Sequence, residues 1–195
     1  MSLINSEDEC SSGSLRNHFL LAMPSLRESI FSQSITYICE HGEQGAMGIV
    51  ISQPLELSLS EIFEHLQIKT QGQVPHVQIM SGGPVQIDHG FVLHRKSDRE
   101  WEASLNVTAE ITLTTSRDIL QAIALGDGPP DHLMALGYAG WSAGQLEEEL
   151  AENNWLTLPA DSNVIFSTPY HLRHSAAAAS LGVDMNLISA QAGHA

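Results

Sequence analysis

The chain has 195 residues, of which 43% are apolar, enough for one domain with a sizeable core and too many for a disordered protein. Twenty-three acids against eight Lys and Arg give a net charge of −15, and the only local basic group, Arg95, Lys96 and Arg99, is broken up by Asp98, Glu100 and Glu102. That balance opposes the basic footprint that nucleic acid and anionic lipid require.

Residues 1–14 (MSLINSEDECSSGS) are acidic and polar and read as a disordered tail, with residues 15–195 forming the domain. The tail has neither the basic nor the apolar region of a secretory signal, and the nearby run Phe19–Met23 is too short to span a bilayer. Cys10 in the tail and Cys39 in a strand make no disulfide framework, so a cytoplasmic location is expected.

Ser34–His41 alternates like a strand, Gly42–Gly45 is a turn, and Ala46–Ser52 is a second strand; together they predict a hairpin with a longer loop. Ser58 and Glu61 can form a capping box, followed by Leu59, Ile62, Phe63 and Leu66 on one helical face. Val77–Met80, His89–His94 and Ile111–Thr114 read as strands. Thr115–Asp118 opens a helix with Ile119, Leu120 and Ile123 on its face and Gly126 as its stop. His132–Leu136 is a buried strand, Asn163–Phe166 is the last strand, and Thr168-Pro169 starts a helix that runs to Gly182. Hairpins mixed with strand–helix alternation predict an α+β, or mixed α/β, fold.

GYAGWSAGQLEEEL (137–150) concentrates three glycines and Trp141 before an acidic run. Read physically, it is a strand end, a glycine corner and a helix capped by Ser142 with Gln145 three residues on. It matches neither dinucleotide-binding nor P-loop patterns.

Five stretches in order, NHFLLAMPSL (17–26), YICEHGEQGAMGIVISQP (37–54), SGGPVQIDHGFVLH (81–94), ALGYAGWSAGQLEEEL (135–150) and AGHA (192–195), together resemble the YqgE/AlgH family of bacterial proteins. The resemblance covers residues 15–195. It implies a cytosolic protein in which strands curl into a barrel-like sheet flanked by helices. It names no reaction; the AlgH name reflects an association with regulation of alginate genes. The family usually reads Asn-x-Pro after the hairpin, often with a basic x, whereas this chain has Ser52-Gln53-Pro54 and so carries neither the Asn amide nor a cation there.

Cys39 and His41, two apart in a strand, would share a face and could form a thiolate–imidazole pair. Ser81 before Gly82 and Gly83 could be a nucleophile on a tight turn, although it lacks the glycine on both sides that a nucleophile elbow needs. The two glycine corners, SGGP and GYAGW, are expected to meet and form a pocket of Gly82, Gly83, Gly137, Tyr138, Gly140 and Trp141. Ten histidines include the pairs His171/His174 and His89/His94, but no HExxH or CxxC pattern, so neither a metal nor another cofactor is expected.

The leading reading is a regulatory or interaction protein with a small-molecule effector or a protein partner. The alternative is a hydrolase or transferase using Cys39, His41 or Ser81. Direct DNA binding comes third, given the charge and the absence of a helix-turn-helix pattern.

Overall fold

The structure is a computed structural model and describes residues 13–26, 29–74 and 76–182. The expected tail up to residue 12, with Cys10, and the closing AGHA motif lie outside the described residues. Ser14 and Leu15 are tied down: the Ser14 hydroxyl donates to the His41 carbonyl at 3.1 Å, and the Leu15 amide donates to the His41 ring at 2.8 Å.

Among the described residues, nine strands form one curled sheet, a half-barrel with five α-helices, which is the α+β architecture expected. In chain order the strands are β1 (His18–Ala22), β2 (Ile35–Gly42), β3 (Gly45–Val50), β4 (Ile79–Ser81), β5 (Val85–Arg95), β6 (Ser104–Asn106), β7 (Ile111–Thr114), β8 (His132–Ser142) and β9 (Trp155–Pro159). Their spatial order is β6-β7-β5-β8-β3-β2-β1-β9, with β4 added parallel to β8 and all other pairings antiparallel. The helices are α1 (Leu59–His65), α2 (Arg117–Leu125), α3 (Gln145–Ala151), α4 (Ser162–Phe166) and α5 (Arg173–Ser180).

The apolar side chains divide into three clusters. One contains Phe19, Ile35, Tyr37, Cys39, Ile49, Phe91, Leu93 and Leu133 from strands of both halves of the sheet, closed by Val164 and Ile165 of α4 and Ala177 and Ala178 of α5. The second joins Ile79, Val92 and Met134 to α1 and α2. The third joins Leu20, Ile38, Ala46, Ala139, Trp141 and Trp155 to Leu146 of α3. Neighbouring residues of a strand enter different clusters because side chains alternate across the sheet. Arg16 bridges two distant parts of the sheet order. It stands just before β1, yet its guanidinium donates to the carbonyls of Val107, at 2.7 Å, and Asn106, at the β6 edge.

Several local expectations hold. Ser58 and Glu61 make both halves of the capping box on α1, and Gly126 ends α2 in the left-handed conformation with φ 80°. Four change. The hairpin loop is two residues, Glu43 and Gln44, because Gly42 pairs with Gly45. Asn163–Phe166 lies in a helix, not a strand: Asp161 caps it by accepting from the Asn163 amide at 2.8 Å, and a run of three apolar residues does not by itself distinguish the two. Thr168 does not cap the next helix, since its hydroxyl donates back to the Asn163 carbonyl; a short 3-10 turn, Tyr170–Leu172, precedes α5. Ser142 ends β8, and Gly144, with φ 79°, stands at the α3 N-cap. Only the return half of that box forms, with the Gln145 side-chain oxygen accepting from the Ser142 amide at 3.0 Å.

Helix α3 is held by its own acids. Glu149 accepts from the Trp141 indole at 3.0 Å and the Trp155 indole at 2.8 Å through one oxygen, and from Gln145 at 2.9 Å through the other. Trp141 is 6% and Trp155 5% exposed, so loss of this acceptor leaves two buried donors unpaired. Glu149→Ala is therefore expected to lower stability by about 2–4 kcal/mol, read from urea unfolding followed by Trp fluorescence. Glu148→Ala, on an exposed neighbour, is the control and should change little.

Candidate functional site

The GYAGW stretch is strand rather than corner. β8 continues through it to Ser142, and the turn comes at Ala143-Gly144. Gly137 does something else. Its φ is 73°, a left-handed conformation in the middle of a strand. Before it, Leu133 and Ala135 face the first cluster and Met134 and Leu136 the second. After it, Tyr138 packs on the first cluster while Ala139 and Trp141 join the third. The glycine inserts one residue into the alternation, so Tyr138 turns inward and Trp141 outward. β5 answers with its own irregularity: Val85 pairs with Tyr138 and Gly90 with Leu136, leaving 86–89 as extra chain.

SGGP meets this segment, as expected, but the glycines fill the contact instead of lining a pocket. The Gly82 amide donates to the Leu136 carbonyl at 2.8 Å. A Cβ on Gly82 would collide with the Gly137 carbonyl, one on Gly83 with the Tyr138 and Ala139 backbone, and one on Gly137 with the Gly83 carbonyl. Two backbones touch there with no room for a side chain, and Gly83 also has φ 149°.

A cavity of about 760 Å³ opens beside this contact, bounded by the β2–β3 turn, the start of β5 and the second half of β8. Tyr138, Gly140 and Trp141 line it together with Glu40, His41, Glu43, Gln44, Met47, Val85, Gln86 and Phe91. The Phe91 and Tyr138 rings meet edge-to-face with centroids 5.5 Å apart. Trp141 is thus both core, stacked on Phe31, and cavity wall. His41 forms the wall next to α3. Its Nδ1 accepts from the Leu15 amide, which leaves Nε2 as the donor to Glu147 at 2.7 Å. The Glu147 carboxyl is held below the usual range by a backbone hydrogen bond and by His41.

The three nucleophile or base candidates do not converge. The sheet register shifts between Ile38 and Glu40, so Cys39 sits in a bulge. This breaks the two-residue spacing on which a Cys39–His41 pair depended. Cys39 is fully buried in the first cluster, its thiol is directed at the Tyr37 carbonyl at 3.8 Å, and burial pushes its pKa well up. Both ring nitrogens of His41 are bonded elsewhere. Ser81 ends β4, paired with Leu136, and its amide donates to the Gln53 carbonyl at 2.7 Å. Among the histidines, His89 pairs with exposed Asp88, and burial lowers the pKa values of His94 and His174. Among the described residues, no three His, Cys, Asp or Glu side chains gather as metal ligands, and no helix is long and apolar enough to cross a membrane.

Residues 19–186 match the sequence model of the AlgH-like family, DUF179. The chain belongs to the AlgH-like family. It is similar to a UPF0301 protein of Saccharophagus degradans, 55% identical over 182 residues, with 93% of this chain and 89% of that protein covered. It is similar to the UPF0301 protein AlgH of Pseudomonas aeruginosa, 51% identical over 185 residues, with 93% and 96% covered. The solution structure of AlgH from Pseudomonas aeruginosa matches with a TM-score of 0.79 and 49% identity, covering 97% of this chain and all of that one (100%). A crystal structure from Corynebacterium diphtheriae matches with a TM-score of 0.69 over 90% of this chain and 91% of that one, at 16% identity, a likeness of fold alone.

In this AlgH-like chain the Ser52-Gln53-Pro54 variation has structural work. The Ser52 hydroxyl accepts from the Ile35 backbone amide at 3.1 Å and the Gln53 side-chain amide donates to the Ile30 carbonyl at 2.7 Å. Sequence reading missed Glu40, Glu43, Met47, Val85, Gln86 and Phe91 as companions of Tyr138; the only available signal was the predicted hairpin turn, which places Glu43 and Gln44 at a sheet end.

The buried Cys39 makes a direct prediction. In a Cys10→Ser variant, the remaining thiol should resist a thiol-reactive disulfide reagent under native conditions and label fully in denaturant. Labelling at the rate of a free thiol in the folded protein would contradict the burial described here.

Proposed function

We propose that this AlgH-like protein is a cytoplasmic regulatory binding protein that takes its effector in the cavity walled by His41, Met47, Phe91, Tyr138, Gly140 and Trp141. One observation carries the reading. The cavity, at about 760 Å³, is of the size that ligand sites have, and it combines aromatic and apolar surface with a few polar groups. Catalysis needs a nucleophile within reach of its base; the Cys39 thiol is buried against the Tyr37 carbonyl, and both ring nitrogens of His41 are bonded to partners other than Cys39 or Ser81. The net charge of −15 weighs against a DNA-binding role.

Gly140 supplies the test. It is exposed, its φ is ordinary, and an added Cβ would meet the Tyr138 ring edge at 3.3 Å, which the ring must ease by a few tenths of an ångström, and the Val85 side chain at 3.9 Å. Gly140→Leu should therefore fill part of the cavity while leaving the fold intact. Thermal unfolding is measured against metabolites, nucleotides and metal ions. A ligand at a hundred times its Kd adds about 2.7 kcal/mol. For a chain of this size that is a rise of roughly 5–10 °C in Tm. The expected result is a saturable hit whose affinity drops at least tenfold in Gly140→Leu, with the ligand-free Tm unchanged. A hit that binds both proteins equally would place the site elsewhere and sink the proposal.

A further inference from the structure

We infer that the cavity selects a cation: an ammonium or guanidinium group carried on a short apolar arm. This rests on the binding reading above and assigns its ligand chemistry.

Two independent features of the wall point the same way. The first is aromatic and apolar surface at its centre. Phe91 and Tyr138 pack edge-to-face, and Met47 and Val85 line the cavity with them. A cation seated within about 6 Å of a ring centroid is attracted by the negative face of the ring, and the arm that carries it gains apolar contact. The second is charge. Glu40 and Glu43 line the cavity, and neither Lys nor Arg does. His41 adds no positive charge in its present hydrogen bonding, because it accepts at Nδ1. Arg16 and Arg173, neither of which lines the cavity, are spent on backbone carbonyls, Arg16 on Asn106 and Val107 and Arg173 on Thr168 and Ile51. An anion entering this cavity would meet carboxylates and no counter-charge. A cation would meet both carboxylates and ring faces, and the chain's charge of −15 draws it in from a distance.

The amides of Gln44 and Gln86 complete the rim and provide carbonyl oxygens for a donor-rich group. Gln86 holds a left-handed φ of 49° in the extra chain of β5. The apolar arm of the ligand would lie against Met47 and Val85. The same cationic chemistry has two sources: a free organic amine or guanidine, or the Lys or Arg side chain of a partner protein.

Three small probes of similar size and one longer peptide test the inference on the full chain: agmatine, a dication with a guanidinium and an ammonium at the two ends of its arm, neutral butylurea, anionic valerate, and a blocked pentapeptide, Gly-Leu-Arg-Leu-Gly. Binding is followed by Tyr and Phe ring signals in NMR and by titration calorimetry, at low and at physiological salt. Agmatine or the peptide should shift the Phe91 and Tyr138 rings, bind at least tenfold tighter than butylurea, and weaken with salt. Tighter binding of agmatine identifies a free cation as the source, and tighter binding of the peptide identifies a partner side chain. The double variant Glu40→Gln/Glu43→Gln should reduce that affinity at least tenfold at unchanged Tm, since both side chains are exposed. Butylurea or valerate binding as well as agmatine would overturn the cation class and leave the cavity reading standing. Failure of all four would overturn it too. A metabolite hit abolished by Gly140→Leu would then show that the binding reading survives alone.

Discussion

The structure depends on one contact, the meeting of the Gly82-Gly83 backbone with that of Gly137-Tyr138. No side chain fits between them. Because β4 lies so close to β8, β8 can pair with β4 and β5 along its first half and with β3 along its second. The left-handed Gly137 at the changeover reverses which residues face inward. Without that inversion, the alternation of β8 would carry Tyr138 away from Phe91 and Trp141 away from Trp155. One backbone irregularity thus builds the aromatic wall on one face of the sheet and the anchor for α3 on the other.

The second organising feature is how few cations the chain has and where they go. Arg16 satisfies two carbonyls near the β6 edge, and Arg173, buried, with its pKa drawn down to about 10 by desolvation, satisfies two more between β3 and α5. Each does what a backbone partner would otherwise have to do where the sheet curls and regular pairing stops. The acids among the described residues, in contrast, are mostly exposed; Asp118 is half-buried, and so is Glu149. Its carboxylate collects three neutral donors, an arrangement that holds a charge without a counter-ion through hydrogen bonds alone. Among the described residues, the cavity lining holds Glu40 and Glu43 and neither Lys nor Arg.

Much of this fold is legible in the sequence, and the parts that are not share a cause. The β2–β3 hairpin, α1 with its capping box, β7, and α2 with its glycine stop all follow from local signals, since each is made by residues close together in the chain. β1, β9 and α4 do not. β1 (HFLLA) is buried at four of its five positions and shows no alternation, β9 ends in a proline, and α4 is a five-residue run that either geometry could use. Long-range pairing of β1 with both β2 and β9 decides them. The site divides in the same way. That SGGP and GYAGW would touch is readable, because two glycine-rich stretches beside strands suggest close backbone approach. That Gly82, Gly83 and Gly137 would fill this contact with backbone is not readable, since it depends on Gly83 and Gly137, both at positive φ, meeting face to face. The bulge at Cys39 is equally silent, and it removes the Cys39–His41 pair.

His41 shows how the site and the fold share residues. One ring nitrogen fastens the start of the described chain through Leu15, and the other fastens α3 through Glu147. The ring edge left over is cavity wall. A catalytic base must release its proton partner and take another during each turnover. A histidine clamped at both nitrogens by structural partners would break one of those ties to do so. The geometry suits a residue that shapes the cavity wall and ties it to α3. That chain of contacts is short: His41 holds Glu147, and on the same helix Glu149 holds the indoles of Trp141 and Trp155.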